Sequence, residues 1–202
     1  MPIYVEHGPS SYPLRSINVF TLRHTGLSEW YSPVKAGTGL HPRPSSAHAL
    51  RDHFPHIDPS WASRWYPSRK GETVEVAHAR SGGTLELVIP TLQRLHPDKN
   101  HRRVLLVAHA ATVIALTREL AGDRELPMRV GCCSLTELRR KDGRLDVLGA
   151  WDVVKLADGS HLEKGAAREW GFEDIVIDEH GKVCSLLKVF MCALGGNCFL
   201  RL

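Results

Sequence analysis

The sequence predicts an α/β fold, and three observations carry that reading. The stretch "RRVLLVAHA" (Arg102–Ala110) is the strongest strand in the chain, and its apolar run Val104–Val107 reads as a parallel strand buried on both faces. The stretch "ATVIALTRELAGD" (Ala111–Asp123) follows at once as a helix closed by Gly122. Around these two, strand-like and helix-like stretches alternate, which is the pattern of a layered sheet with flanking helices. With 202 residues, 43% hydrophobic and 24% charged, the chain has the composition of one domain able to bury a core of its own.

Taken in order, "IYVEH" (Ile3–His7) has the period-two apolar spacing of a short strand. "GPSSYPLRSINVFTLRHTG" (Gly8–Gly26) fits nothing around it. "TGLHPRPSS" (Thr38–Ser46) is a Pro/Gly/Ser loop, and Ser46 is placed to cap a helix through "AHALRDHF" that ends before Pro55. Glu72 opens a longer helical stretch in which Leu85, Leu87, Val88, Leu92 and Leu95 make one apolar face. A break is expected there at Ser81–Gly83 and a kink at Pro90. "SLTELRRK" and "RLDVLGAWDVVK" read as two antiparallel strands around the turn signal Asp142-Gly143.

Composition removes several function classes. A formal charge of +4 is modest, and the basic run Arg139–Arg144 reads as a solvated turn, so no direct nucleic-acid partner is expected. No apolar run approaches the roughly 18 residues that span a bilayer, and the N-terminus lacks a signal-peptide pattern. No membrane partner is therefore expected, and the location expected is cytoplasmic or nuclear. The cysteines Cys132, Cys133, Cys184, Cys192 and Cys198 are odd in number, two are adjacent and none makes a CxxC, which favours a reducing compartment. The closest histidines, His53 and His56, have Pro55 between them and no further ligand type beside them. No metal and no cofactor are expected.

The chemistry points to His109. It ends the buried strand just before a helix, where the carboxyl end of a strand and the free amides of the next helix make a ready anion site. A histidine there can donate a hydrogen bond to a phosphate oxygen.

The surrounding block "RRVLLVAHAATVIALTRELAG" resembles the C-terminal motif of the histidine phosphatase (phosphoglycerate-mutase-like) superfamily. "SRKGETVE" (Ser68–Glu75) resembles the Gly-Glu-Ser/Thr element that opens the preceding long helix in that family, and "YVEH…GLSEWY" resembles the stretch that carries its acidic residue, most closely in fungal members. The three blocks occur in the family's order and cover roughly residues 3–7 and 26–150. The resemblance implies a phosphoglycerate-mutase-like sheet and metal-free hydrolysis of a phosphomonoester through a phosphohistidine. His109 matches the second histidine, which clamps the transferring phosphoryl group. Glu29 matches the proton donor to the leaving group, and the adjacent Trp30 is expected to help keep such an acid protonated. The implied partner is a phosphorylated small molecule or a phosphoprotein.

The nucleophile strand of the family is not found in its place. Arg23-His24 has the family's letters, yet Glu29 follows too closely to leave room for the helix, arginine element and strand that belong between them. Removing Pro9–Gly26 gives "IYVEHGLSEWYSP" and restores the family's spacing. The expectation is that 9–26 is a foreign segment of retained-intron origin, that it packs poorly, and that 183–202 is a non-native tail. The domain, 1–182, would then be partial, with Met1 an internal methionine and little or no activity in the chain itself. The rival function is a non-catalytic interaction subunit on the same fold, for example in a transcription-factor complex. An Arg-His-Gly strand encoded in frame upstream would favour the enzyme. The J-domain signature "HPDKN" (His96–Asn100) lacks its following helix, because an apolar strand comes next.

Overall fold

Short alternating and apolar runs build the strands, and six of them collect into one mixed sheet. The structure, a computed structural model, describes residues 2–6, 20–34, 37, 39–43, 45–61, 63–95, 103–177, 183–185 and 198–201. In chain order the elements are β1 (Pro2–Glu6), β2 (Phe20–Arg23), α1 (Ala47–Arg51), α2 (Val74–Leu95), β3 (Arg103–Ala108), α3 (Ala110–Ala121) and β4 (Val130–Cys132). There follow β5 (Leu135–Arg140), β6 (Trp151–Asp158), β7 (Ala167–Trp170), β8 (Ile175–Ile177), β9 (Val183–Ser185) and β10 (Cys198–Arg201). The large sheet has the order β2-β1-β3-β10-β5-β6, and two ribbons pair β4 with β7 and β8 with β9. The chain is thus α/β, as its alternating pattern predicts. Among the described residues no helix is long and apolar enough to cross a membrane. The motif His96–Asn100 lies outside the described residues.

β3 forms where expected but not in the expected direction. It runs antiparallel to β1, with Leu106 opposite Ile3, and antiparallel to β10, with Leu106 opposite Leu200. Among the described residues the one parallel pair is β10 with β5. An apolar run reports burial, and Leu106, Val107 and Ala108 are indeed buried; the direction of the neighbours is set by connections that the run does not encode.

α2 runs unbroken through Ser81–Gly83 and holds Pro90 inside it. The glycines serve close packing rather than a break. A Cβ on Gly83 would lie 2.6 Å from Cζ3 of Trp65, and one on Gly82 would lie 3.3 Å from Cδ1 of Leu148. Each costs the helix about 1 kcal/mol of propensity, and tertiary contact overrides that cost. Leu85, Val88 and Leu92 of the expected face are buried, together with Ile89, against Leu116 and Leu120 of α3 and Leu106, Leu138 and Leu200 of the sheet. α3 is buried from Ala111 to Leu120 and stops at Gly122, which sits left-handed at φ 75° with its amide bonded to the Arg118 carbonyl. α1 is capped by the Ser46 hydroxyl, which accepts from the Ala49 amide at 3.1 Å, and it ends at Arg51, earlier than expected. β5 and β6 pair antiparallel as predicted, but residues 141–150 join them instead of a tight turn at Asp142-Gly143.

Parts of the two segments expected to be foreign are packed into the fold. Residues 9–19 lie outside the described residues, but 20–27 do not loop out. β2 pairs with β1, Leu22 opposite Ile3, and the turn after it is buried, with His24 0% and Leu27 1% exposed. Phe20-Thr21-Leu22 is β-prone and suits an edge strand, which is why this part folds back onto the sheet. In the tail, β9 pairs with β8 and β10 lies between β3 and β5. Cys198 and Leu200 point into the core while Phe199 and Arg201 are half-buried. That is a period-two pattern too short to stand out in the sequence.

A buried ion pair ties α2 to the turn before the site. Arg80 Nε donates to both carboxylate oxygens of Glu72, at 2.9 and 3.0 Å. Its Nη1 donates to the carbonyls of Gly26 and Ser28. Both side chains are almost wholly out of solvent. Removing one member of such a pair leaves the other charged and buried. Arg80→Ala should therefore lower stability by about 3–5 kcal/mol in urea unfolding. Replacing Arg80 and Glu72 together by apolar residues of similar size should cost much less.

His78 is buried with Nδ1 3.0 Å from Glu119 Oε1, and Arg124 binds the same oxygen at 3.0 Å. Burial lowers the His78 pKa below 6.5, outweighing the opposing pull of Glu119. The unfolded chain then binds the proton more readily, so this contribution to stability is intact above about pH 6.5 and is lost as the pH falls below it. Urea midpoints taken across pH 7.5 to 5 should fall toward acid, and His78→Gln should flatten that slope.

Candidate functional site

His109 leaves β3 in extended geometry, φ −89° and ψ 160°, and forms the N-cap of α3. The His109 side chain does not cap that first turn, so the leading amides and the positive end of the helix dipole lie at the strand end without a cap from this residue. Thr112 turns its hydroxyl back to the Ser28 carbonyl at 2.7 Å, which fixes this helix start against the chain that carries Glu29.

The residues on each side of Glu29 are pinned. The Ser28 carbonyl accepts from Thr112 and from Arg80. The Tyr31 carbonyl accepts from the Glu72 amide at 2.8 Å, and Trp30 Nε1 donates to the Glu72 carbonyl at 2.9 Å. Between these anchors Glu29 extends an oxygen to 3.6 Å from His109 Nδ1. That is ion-pair distance and longer than a hydrogen bond. The two residues singled out by the sequence are therefore brought together. The ring of Trp30 packs elsewhere, edge-on to Phe172 at 5.7 Å and tilted against Trp170 at 6.2 Å.

A cavity of about 630 Å3 opens at this pair, a size suited to a small ligand or one side chain of a larger one. Glu29, His109, Tyr31 and Trp61 line it, and so do His41, Arg43, His48 and Arg69. Glu29 is the one carboxylate among the described wall residues, so the wall is net positive. The Tyr31 hydroxyl is held above its usual pKa, by burial first and then by the charge of Glu29.

The loops that form the rest of the wall are cross-tied. His41 N donates to the Arg69 carbonyl at 2.8 Å, Arg69 Nε donates back to the His41 carbonyl at 2.9 Å, and Val34 N donates to the Lys70 carbonyl at 2.9 Å. The His41 ring stacks on Tyr31 at 4.5 Å, with Nε2 3.0 Å from the Ser32 carbonyl. Gly71, at φ 85°, lets the chain pass so close to Ser32 and Pro33 that a Cβ would collide with their backbone. Among the described residues no group of three His, Cys, Asp or Glu side chains gathers as a metal site would.

His24, the other histidine with family letters, is placed differently. It is fully buried, its Nδ1 accepts from the Gly26 amide at 3.0 Å, and its ring meets Trp61 edge-on at 6.2 Å. Thr25 and Ser28 reach the cavity wall and His24 does not. Sequence reading missed Arg43 and Arg69 as site residues. Their signal was an arginine between prolines in "HPRP" and another beside the helix-opening "GET" element, both in loops held rigid by their neighbours.

Titration with inorganic phosphate, followed by NMR, should move the His109 ring resonances and leave those of His24 in place. Glu29→Gln should tighten phosphate binding several-fold, because it removes the one negative charge facing the anion. An unmoved His109 at millimolar phosphate in the folded protein would remove the site.

Models of known protein families give no match to this chain, and no curated protein matches it.

Proposed function

We propose that the chain is a phosphatase-like domain that binds a phosphate-bearing ligand at His109 and the first turn of α3, and that it turns this ligand over little or not at all by itself. The observation that carries the reading is the Glu29–His109 pair, 3.6 Å apart, on the wall of a cavity whose other charged residues are cationic. A phosphate placed there meets a histidine donor and the positive end of a helix with its leading amides.

In the reaction implied by the resemblance, a histidine nitrogen attacks phosphorus while the P–O bond to the alcohol breaks. A second histidine and arginines hold the non-bridging oxygens, and an acid gives the departing alkoxide its proton; water later hydrolyses the phosphohistidine. His109 fits the holding role and Glu29 the proton-donating one. His24 does not suit the attacking role, since it is fully buried and does not line the cavity. Binding without turnover is also what a non-catalytic interaction subunit needs, with a phosphorylated small molecule or phosphoprotein as its ligand.

Purified protein should show no more than trace hydrolysis of an aryl phosphate, with or without a chelator. Robust turnover that disappears in His24→Ala would overturn the reading and make Arg23-His24 the nucleophile pair.

A further inference from the structure

Three thiols converge where β4 passes into β5. Residues 131–134 form a turn closed by the Ser134 amide, which donates to the Gly131 carbonyl at 3.2 Å. Cys133 holds its third position at φ 61°, in the left-handed region where such turns take Gly or Asn. A cysteine kept there is held against its own backbone preference. The His161 ring fastens the turn on one side, its Nε2 3.1 Å from the Cys133 carbonyl. Cys198, the first residue of β10, fastens it on another. Its Sγ donates to the Gly131 carbonyl at 3.3 Å, and the next amide, that of Phe199, donates to the Ser134 carbonyl at 2.9 Å. Those two bonds bracket Cys132 and Cys133, so the Cys198 sulfur is fixed beside the pair. All three thiols are free, with Cys133 exposed, Cys132 half-buried and Cys198 buried. Burial pushes the Cys198 thiol up to about 12, and the charge of Cys132, then that of Cys133, adds to the effect. Such a thiol stays protonated and inert until a neighbouring sulfur becomes electrophilic. Among the described residues these cysteines do not gather as metal ligands would, so the chemistry open to them is that of thiols.

We propose that this turn is a thiol-oxidation site, at which a peroxide joins Cys132 to Cys198 as a disulfide. The half-buried Cys132 loses its proton and attacks one peroxide oxygen; the O–O bond breaks, and hydroxide leaves and takes up that proton as water. The Cys198 sulfur then attacks the resulting sulfenic sulfur. The S–S bond forms, the S–O bond breaks, and the Cys198 proton leaves with the hydroxyl as a second water. Two thiols are oxidised and one peroxide is reduced. The inference does not rest on the phosphate reading, but it reaches the same strand end. Cys198 lies opposite Ala108, the residue before His109, in the β3–β10 ladder. Closing the disulfide takes the Cys198 sulfur away from the Gly131 carbonyl, and the change is felt where β3 delivers His109.

The test is treatment of the reduced full chain with hydrogen peroxide, blocking of remaining thiols with iodoacetamide, and non-reducing peptide mapping by mass spectrometry. A cross-linked peptide containing Cys132 and Cys198 should appear and be lost on adding dithiothreitol. Cys133→Ser should keep the cross-link. Cys198→Ser should abolish it and leave Cys132 as a sulfenic acid that dimedone traps. A Cys184→Ser, Cys192→Ser background, which removes the chain's two other thiols, should keep the cross-link as well, and circular dichroism should show each variant folded. In NMR spectra the Ala108 and His109 amides should shift on oxidation of the unsubstituted chain and stay in place in Cys198→Ser. A folded chain that gives no cross-link, or one that joins Cys132 to Cys133 or Cys133 to Cys198 instead, overturns the proposal. So does a Cys132–Cys198 bond that leaves the Ala108 and His109 amides unmoved.

Discussion

Glu72 is the residue on which the rest of the site depends. Its carboxylate holds the Arg80 guanidinium, its amide holds the Tyr31 carbonyl, and its carbonyl holds the Trp30 indole. Arg80 extends the hold to the carbonyls of Gly26 and Ser28. One buried acid at the start of α2 thus fixes the chain on both sides of Glu29, and the side chain facing His109 is a result of that fixing. The arrangement satisfies backbone groups that would otherwise be buried without partners in a turn that has no regular ladder of its own. Its contribution is to placement more than to net stability, since a buried ion pair gains little over apolar packing.

The same turn shows how local chemistry and long-range packing cooperate. Thr112 belongs to the first turn of α3, yet its hydroxyl bonds to the Ser28 carbonyl, a contact between residues 84 positions apart in sequence. The strand that delivers His109 and the turn that delivers Glu29 are therefore registered to each other by α3 rather than by direct pairing. Thr25 is tied in turn to the loop that carries Trp65, through the Ser63 hydroxyl and the Trp65 carbonyl. Several elements around the cavity are held by hydrogen bonds to another part of the wall. Such a wall loses little side-chain freedom when a ligand arrives, which is the physical meaning of a pre-formed site.

Much of this was legible in the sequence where a feature is local. The apolar run before His109, the helix after it, the left-handed stop at Gly122 and the Ser46 cap all depend on residues within a few positions of one another. Glu29 and His109 were both nameable from motif letters, but their closeness was not, because it is made by Arg80, Glu72 and Thr112 across long separations. The passage of α2 through Ser81–Gly83 was misread for the same reason. A glycine pair in isolation weakens a helix, and only the approach of Trp65 and Leu148 explains why it is there. Strand direction in β3 was unreadable because antiparallel and parallel partners bury an apolar run alike. Residues 9–26 read as foreign because their removal restores the family's spacing, and 183–202 because the tail shows no periodic pattern; neither argument bears on whether a short run within them can pair with an available strand edge. β2 and β10 both do.

The position of β10 has a consequence for how the molecule comes into being. It is the late-arriving member of the large sheet and lies in its interior, between β3 and β5, rather than at an edge. Until residues 198–201 emerge from the ribosome, β3 and β5 each present an open edge, and the core has a gap where Leu200 will sit. Open apolar edges are templates for the wrong neighbour, and pairing between segments so far apart in sequence is slow to form. A nascent chain of this protein therefore passes through a stage in which its helices can already pack while its sheet stands in two halves, the interval in which a chaperone would have the most to protect.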